Sequence, residues 1–446
     1  MKIILPEKVN SIISCLQDHG YEAYAVGGCV RDSILGRKPQ DWDITTSAKP
    51  EEVKALFSHT IDTGIQHGTV TVMLDHEGFE VTTYRIDGEY EDARHPKEVI
   101  FTSLLIEDLK RRDFTINAMA YNDKDGLVDA FDGMGDLARK VIRCVGNPMD
   151  RFTEDALRIM RAVRFAAQLG YEIEEKTREA ITALAPNLSK ISAERIQVEL
   201  VKLLVSAHPD MVRDLYELGI TDVILPEFSL LMHTEQNNDH HKYNVGEHTL
   251  HSLLLVPADK VLRLTMLLHD IEKPSCKSVD VNGKDHFYGH PEKSAQTARK
   301  ILRRLKFDND TIARVSALVR IHDDNPELTP KAVRRGINRH GLEQYPALFA
   351  IKRADMGAQS EKYYERKMEY LDGFEAIYHQ ILAEGDCLTL KDLAVSGKDL
   401  IGVGIEPGKA IGEILEQMLL DVLEAPERNT KEVLLKRLEE KHYTIN

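Results

Sequence analysis

The chain has 446 residues, of which 42% are hydrophobic, 29% charged and 6% aromatic, enough for three or four domains with a substantial core. No apolar run reaches membrane-spanning length, and MKIILPEKVN lacks a signal peptide's apolar centre and cleavage site, so no membrane partner is expected. The net charge of −15 argues against nucleic acid only on average, and five scattered cysteines without CxxC pairs fit reduced thiols in a cytoplasm.

Residues 1–145 alternate short helical and extended stretches. YEAYAVGG, DWDITTS, TVTVMLD and FEVTTYR read as strands, β-branched and bounded by turns such as LDHEG. Between β-like stretches lies GGCVRDSILGRKPQDWDI. Gly27 and Gly28 allow close backbone approach to an anion, and Arg31 offers a planar fork for phosphate. In a strand Asp41 and Asp43 share a face, where the repulsion between them is relieved by a cation, Mg²⁺ being the usual one. Glu80, in FEVTTYR, would add a third carboxylate from a neighbouring strand. RRDFTINAMAY brings Arg112, Asp113 and Asn117. Adjacent Arg111 and Arg112 cannot point the same way, so one is expected to serve phosphate and the other a carboxylate.

From about residue 146 the pattern turns helical. TEDALRIMRAVRFAAQLG reads as an amphipathic helix with a glycine stop, carrying Arg158, Arg161 and Arg164 on one face and Asp155 three residues before Arg158. ISAERIQVELVKLLVSA is a further amphipathic helix, and TEQNNDHHKYN a polar boundary. Further basic clusters follow at Arg299, Lys300, Arg303, Arg304 and Lys306, and at Lys331, Arg334, Arg335 and Arg339. The stretch 361–386 carries no motif, and the tail is broken by glycines in VSGKDLIGVGIEPGKAIG.

The ordered blocks GG…RD…DWD, FEVTTYR, RRDFTINAMAY, DAFDGMGDLARKVIR and EDALRIMRAVRF resemble the class II tRNA nucleotidyltransferase/poly(A) polymerase family. The resemblance implies an α+β head of the polymerase-β type, a mixed sheet plus helices, over 1–145. It implies all-α parts after it: a neck at 146–210, a body at 211–360 and a tRNA-binding tail at 361–446. Asp41, Asp43 and Glu80 then take the catalytic carboxylate positions, with Mg²⁺ on the aspartates. Gly27, Gly28, Arg31, Arg112, Asp113 and Asn117, with Asp155, Arg158, Arg161 and Arg164, are expected at the nucleotide. One carboxylate and one guanidinium can read the amino group and ring acceptor that CTP and ATP share, so Asp155 and Arg158 are expected to select the base. The polar segment 87–101 resembles the loop used in switching from C to A.

The blocks NVGEHTLHS, LRLTMLLHDIEKP, YGHPEKS, LVRIHDD and KRADMGAQS resemble an HD-type phosphohydrolase over about 244–360. That resemblance implies a metal on His248, His269, Asp270 and Asp355, with His290 and His322 for a second ion or a substrate phosphate. Imidazole with carboxylate suits Ni²⁺, Mn²⁺, Co²⁺ or Fe²⁺. Glu272 departs from the glycine usual there and is expected to alter metal preference or pair with Lys273. The activity implied is template-independent addition of C, C and A to tRNA from CTP and ATP, with hydrolysis of damaged tRNA ends as a second role. Competing readings are an A-only adding enzyme or poly(A) polymerase, an HD phosphohydrolase whose nucleotidyltransferase module is regulatory, and a protein uridylyltransferase.

Overall fold

The alternating stretches near the N-terminus pair as a seven-stranded mixed sheet. Along the chain run α1 (Glu7–Asp18), β1 (Ala23–Val26), α2 (Gly28–Ile34), β2 (Asp43–Thr46), α3 (Pro50–Leu56), β3 (Thr60–Gly64), β4 (Thr69–Leu74) and β5 (Glu77–Thr83). Then come β6 (Arg85–Asp87), β7 (Val99–Phe101), α4 (Leu105–Lys110), β8 (Met119–Asn122), β9 (Gly126–Asp129) and α5 (Gly133–Arg139). The sheet order is β3-β4-β5-β2-β1-β8-β9. Only β2 and β5 run parallel; the other neighbours are antiparallel. The four residues of β1 are all buried, as befits an inner strand covered on both faces, whereas β4 alternates. Asp75 and His76 both take positive φ (48° and 65°), the left-handed pair that a two-residue hairpin between β4 and β5 demands.

This computed structural model describes residues 2–87, 99–440 and 442–443. The segment expected to act as a C-to-A switching loop falls mostly outside the described residues; at its ends β6 and β7 pair antiparallel. The chain divides into two units, Met1–Ser229 and Leu230–Asn446, the division falling within the stretch 211–360.

The rest of the first unit is helical: α6 (Pro148–Glu154), α7 (Leu157–Leu169), α8 (Glu175–Leu184), α9 (Ala193–Leu204), α10 (Val212–Glu217) and α11 (Thr221–Ile224). Asn147 caps α6 through Met149 N, with Pro148 in the first turn. The expected continuous helix over TEDALRIM is two helices, because Asp155 leaves the helical region at φ −139°, ψ 103°. Gly170 ends α7 with φ 69°, as the sequence led us to expect.

The second unit holds α12 (Pro226–Met232) in part, then α13 (Val245–Leu255), α14 (Lys260–Leu268), α15 (Lys273–Cys276), α16 (His290–Arg304), α17 (Asn309–Ile321), α18 (Pro330–His340) and α19 (Tyr345–Gly357). It ends in α20 (Tyr364–Glu384), α21 (Gly397–Gly402), α22 (Lys409–Glu424) and α23 (Lys431–Glu439). Asn244, Asp259, Asp308 and Thr329 each cap a following helix by accepting from its first-turn amides. The motif-free stretch after residue 361 is mostly α20, whose Phe374 and Tyr378 pack on Tyr345 and Phe349 of α19. Among the described residues, no helix is long and apolar enough to cross a membrane.

Candidate functional site

The carboxylates gather at one end of the sheet. Asp43 opens β2 opposite Val26, one residue before the Gly27–Gly28 turn. In the parallel β2–β5 pair Ile44 lies opposite Val81, which sets Glu80 beside Asp43. Asp41 lies just before β2, which begins at Asp43, so only the second aspartate of the expected strand pair is in the sheet. Their charges still meet. Partial desolvation raises the Asp43 carboxyl above its usual range; Arg112 pulls it down and Asp41 pushes it up. Desolvation, then Asp43 and Asp41, raise Glu80. Repulsion of this kind is what a divalent cation between carboxylates would relieve.

Around this end stand the cationic and polar side chains. Gly27 takes φ 85° and ψ −129°, and a Cβ there would lie 3.1 Å from Arg112 Nη1. That conformation favours glycine, and a Cβ would crowd the Arg112 guanidinium. The carboxylate partner expected for one of Arg111 and Arg112 is shared by both, and it is Asp108. This wholly buried carboxylate on α4 accepts from Arg111 Nε at 2.9 Å, Arg112 Nη2 at 3.4 Å and the Thr45 hydroxyl at 3.1 Å. It ties both arginines to the strand that carries Asp43. Burial opposes its charge, yet the two guanidiniums hold it below the usual carboxylate range. Sequence reasoning missed Asp108, although its spacing three and four residues before the arginines is the signal of a helical ion pair.

Arg31, 7% exposed, donates to Asn117 Oδ1 at 2.6 Å and to Asp32 Oδ1 at 2.9 Å. Asn117 in turn donates to Asp113 Oδ1 at 3.2 Å, and Arg161 meets Asp113 Oδ2 at 2.6 Å. Burial opposes charge at Asp113, but Arg161 and Arg158 outweigh it and hold the carboxyl at about 2. Arg31, Arg161 and Arg164 also converge on the Phe165 ring, at 5.0, 5.4 and 3.5 Å.

The three arginines of α7 do not act as one face. Arg158 pairs with Glu154 at 2.6 Å and donates to Arg111 O at 2.8 Å. Arg161 serves Asp113. Arg164 is buried against Glu199 of α9 at 2.8 Å and Gln168 at 2.9 Å, which makes it part of the helix–helix junction rather than an open nucleotide contact. The expected single-helix relation of Asp155 and Arg158 is also corrected: Asp155 sits in the α6–α7 break, accepts from Leu157 N at 3.0 Å and pairs with Arg195 at 2.8 Å.

The second unit gathers the histidines. His248 comes from α13, His269 and Asp270 from the end of α14, His290 from the start of α16, His322 from the end of α17 and Asp355 from α19. Nδ1 of His269, His290 and His322 meets the carbonyls of Met266, Phe287 and Val319 at 2.7–2.8 Å. His248 Nδ1 faces Ala358 O at 3.4 Å. A carbonyl only accepts, so each ring carries its proton on Nδ1 and turns the Nε2 lone pair inward, the arrangement of metal-binding imidazoles. Asp270 is the shared member: its donor atoms and those of His248 and His269 lie within 4.8 Å of one another, and so do those of Asp270, His290 and His322. Asp355 Oδ1 is 2.8 Å from His248 Nε2. His269 Nε2 and both Asp270 oxygens are buried and make no well-aligned hydrogen bond, although Lys273 Nζ stands 2.7 Å from Asp270 Oδ2 and His290 Nε2 3.2 Å from Oδ1. A buried carboxylate ringed by imidazole nitrogens fits a divalent metal. Among the described residues, both such groups of three are here, so the carboxylates of the first unit are the more open set.

Lys273 Nζ lies 2.7 Å from Asp270 Oδ2. His269 and Lys273 hold Asp270 well below its usual range against the penalty of burial. Glu272 turns away from Lys273, accepting from Thr297 at 2.6 Å and Ser275 at 2.5 Å, so the expected pairing of Glu272 with Lys273 does not form; Lys273 pairs with Asp270 instead. A cleft of about 990 Å³ opens over the centre, lined by Lys273, Lys352, Lys367, Arg366, Tyr288 and Tyr363 among others.

The comparisons with known proteins agree with this geometry. A model of the Poly A polymerase head domain matches residues 23–143, one described as "Probable RNA and SrmB- binding site of polymerase A" matches 170–231, and tRNA nucleotidyltransferase domain 2 matches 290–438. The CCA-adding enzyme of Limosilactobacillus reuteri is 36% identical over 97% of this chain and 96% of its own length. That of Leuconostoc mesenteroides is 53% identical over a shorter alignment, 48% of this chain and 53% of its own length. Among solved structures, the Bacillus stearothermophilus CCA-adding enzyme in complex with CTP is 30% identical, with a TM-score of 0.74 over 98% of this chain and 99% of that one. Near full-length identity of this order, with the same head and the same helical continuation, is not a matter of fold alone, and the chain belongs to the CCA-adding enzyme family.

Proposed function

We propose that the chain completes tRNA 3′ ends, adding C, C and A from CTP and ATP without a nucleic-acid template. The observation that carries this reading is the meeting of Asp41, Asp43 and Glu80 with Gly27, Arg112 and Asn117 at one end of the sheet, in a chain similar along its length to CCA-adding enzymes. The 3′-hydroxyl of tRNA attacks the α-phosphate of the nucleotide and pyrophosphate leaves, three times over. Asp41 and Asp43 would hold Mg²⁺, with Glu80 as the third carboxylate, and the ion would supply activation of the hydroxyl and charge neutralisation of the triphosphate. The open Gly27–Gly28 turn admits the phosphates, Arg112 faces them, and Arg31, Asp113, Asn117 and Arg161 form the wall beside the sugar. Asp155 and Arg158 present an acceptor and a donor to the base, each oriented by its own partner, Arg195 and Glu154. We take the head as 1–145, the neck as 146–210, the body as 211–360 and the tail as 361–446, working in the cytoplasm.

Incubation with tRNA ending at the discriminator base and single nucleotides, read on a nucleotide-resolution gel, tests the reading. Two C residues from CTP and then one A from ATP are expected. A chain that adds A but no C is an A-only enzyme or poly(A) polymerase instead. Asp41→Ala should abolish addition while leaving tRNA binding intact.

The inward-facing Nε2 atoms around Asp270 favour a second activity in the same chain. His248, His269, Asp270 and Asp355 would hold Ni²⁺, Mn²⁺, Co²⁺ or Fe²⁺, with His290 and His322 available for a second ion or a substrate phosphate. Such a centre, under a cleft lined by lysines, suits hydrolysis of phosphate esters at RNA ends, 2′,3′-cyclic phosphates included. Metal analysis of the purified chain should find the ion, and His269→Ala should lose it; equal metal content in the two would sink the assignment.

A further inference from the structure

Fourteen residues of this acidic protein carry six positive charges and no negative one: KSAQTARKILRRLK, residues 293–306. They make up most of α16 and the turn after it. At about 100° per residue, Lys293, Arg299, Lys300, Arg303 and Arg304 fall within an arc of about 140°. All five are exposed, whereas Ser294, Ala295, Ala298, Ile301 and Leu302 are buried on the opposite side. Among the described residues, no carboxylate pairs with Arg299, Lys300, Arg303 or Lys306. The favourable field at a helix C-terminus accounts for Arg303 and Arg304 in the last turn, but not for the cations one and three turns earlier.

The turn after α16 provides a second observation. Phe307 N bonds to Leu302 O at 2.9 Å, closing the helix in a Schellman turn whose left-handed position is Lys306, at φ 60°. Glycine is the residue that fits this position without strain. A lysine there keeps a sixth charge at the end of the same stripe in spite of its backbone.

We propose that the outer face of α16 and Lys306 bind the phosphate backbone of the substrate tRNA. Charges one turn apart along a helix match the successive phosphates of an RNA strand, and a sequence-blind backbone contact suits an enzyme that must accept every tRNA. The inference rests on the proposed tRNA substrate.

The test is the affinity of the full chain for tRNA across a salt series. Replacing Arg299→Glu, Lys300→Glu and Arg303→Glu together should weaken binding about tenfold or more at physiological salt and make the log–log salt slope shallower by about two to three. The KM for CTP at saturating tRNA should not move. Lys306→Gly, which relaxes the turn while removing one charge, should fold at least as well as the parent and still bind tRNA more weakly. Unchanged affinity and slope in both variants, with the parent chain adding CCA normally, overturn this inference alone. A parent chain that neither binds tRNA nor extends it overturns the proposed function as well.

Discussion

Gly27 and Asp113 show how single residues set the chemistry of the sheet end. Gly27→Ala puts an L side chain at φ 85° and presses on Arg112; nucleotide addition should fall about 100-fold, as expected when a contact shifts by about an ångström, with stability lowered by only about 1–3 kcal/mol for the strained backbone. Unaltered kinetics would show that Arg112 is not positioned from this side. Asp113 makes a pH prediction. Its carboxyl titrates near 3.8 unfolded but about 2 in place. Its contribution of about 2 kcal/mol is therefore complete above the unfolded value and lost as pH falls through the folded one. Acid unfolding of Asp113→Asn should lack this share of the pH dependence; parallel curves for the two proteins would refute it. Much at this scale was legible. Glycines, aspartates and histidines carry their chemistry in their type and spacing. What spacing hides is which partner a long side chain chooses. Both Arg111 and Arg112 reach Asp108, Asp155 takes Arg195 from another helix, and Glu272 finds two hydroxyls. These choices are made by tertiary packing.

Elements explain why some predicted faces dissolved. The periodic stretch from Thr153 to Gly170 reads as one helix because its apolar residues keep the period, yet the break at Asp155 lets α6 and α7 pack separately. Arg164 is then carried under α9. A buried ion pair stabilises little as a whole but is costly to halve. Glu199→Ala should therefore destabilise the first unit by about 3–5 kcal/mol, while Arg164→Met with Glu199→Leu should recover most of the loss. Chemical denaturation reads both; an Ala variant as stable as the parent would place Arg164 elsewhere in solution. The turn after α16 makes the opposite prediction. Lys306→Gly should raise stability by about 1 kcal/mol, because only glycine takes that φ without strain. Stability left on the table in this way is expected where a side chain is retained for binding.

At the scale of the whole molecule, the alternation of strands and helices over residues 1–145 and the helical remainder were legible from β-branched runs, turn residues and helical period. Sheet order was not. No local pattern brings β5 beside β2, since that pairing is parallel and skips two strands. Its outcome is that β2 is the fourth of seven strands. Edge strands β3 and β9 can open one at a time, but β2 is released only when its neighbours on both sides have gone. In heavy water the amides of Ile44, Thr45 and Thr46 should consequently exchange at the rate of global unfolding, far more slowly than those of β3 or β9. Rapid exchange there would mean that the carboxylate strand opens on its own. The fold thus seats Asp43 at the mouth of the most protected strand in the sheet, a pivot whose position survives the breathing of everything at its edges.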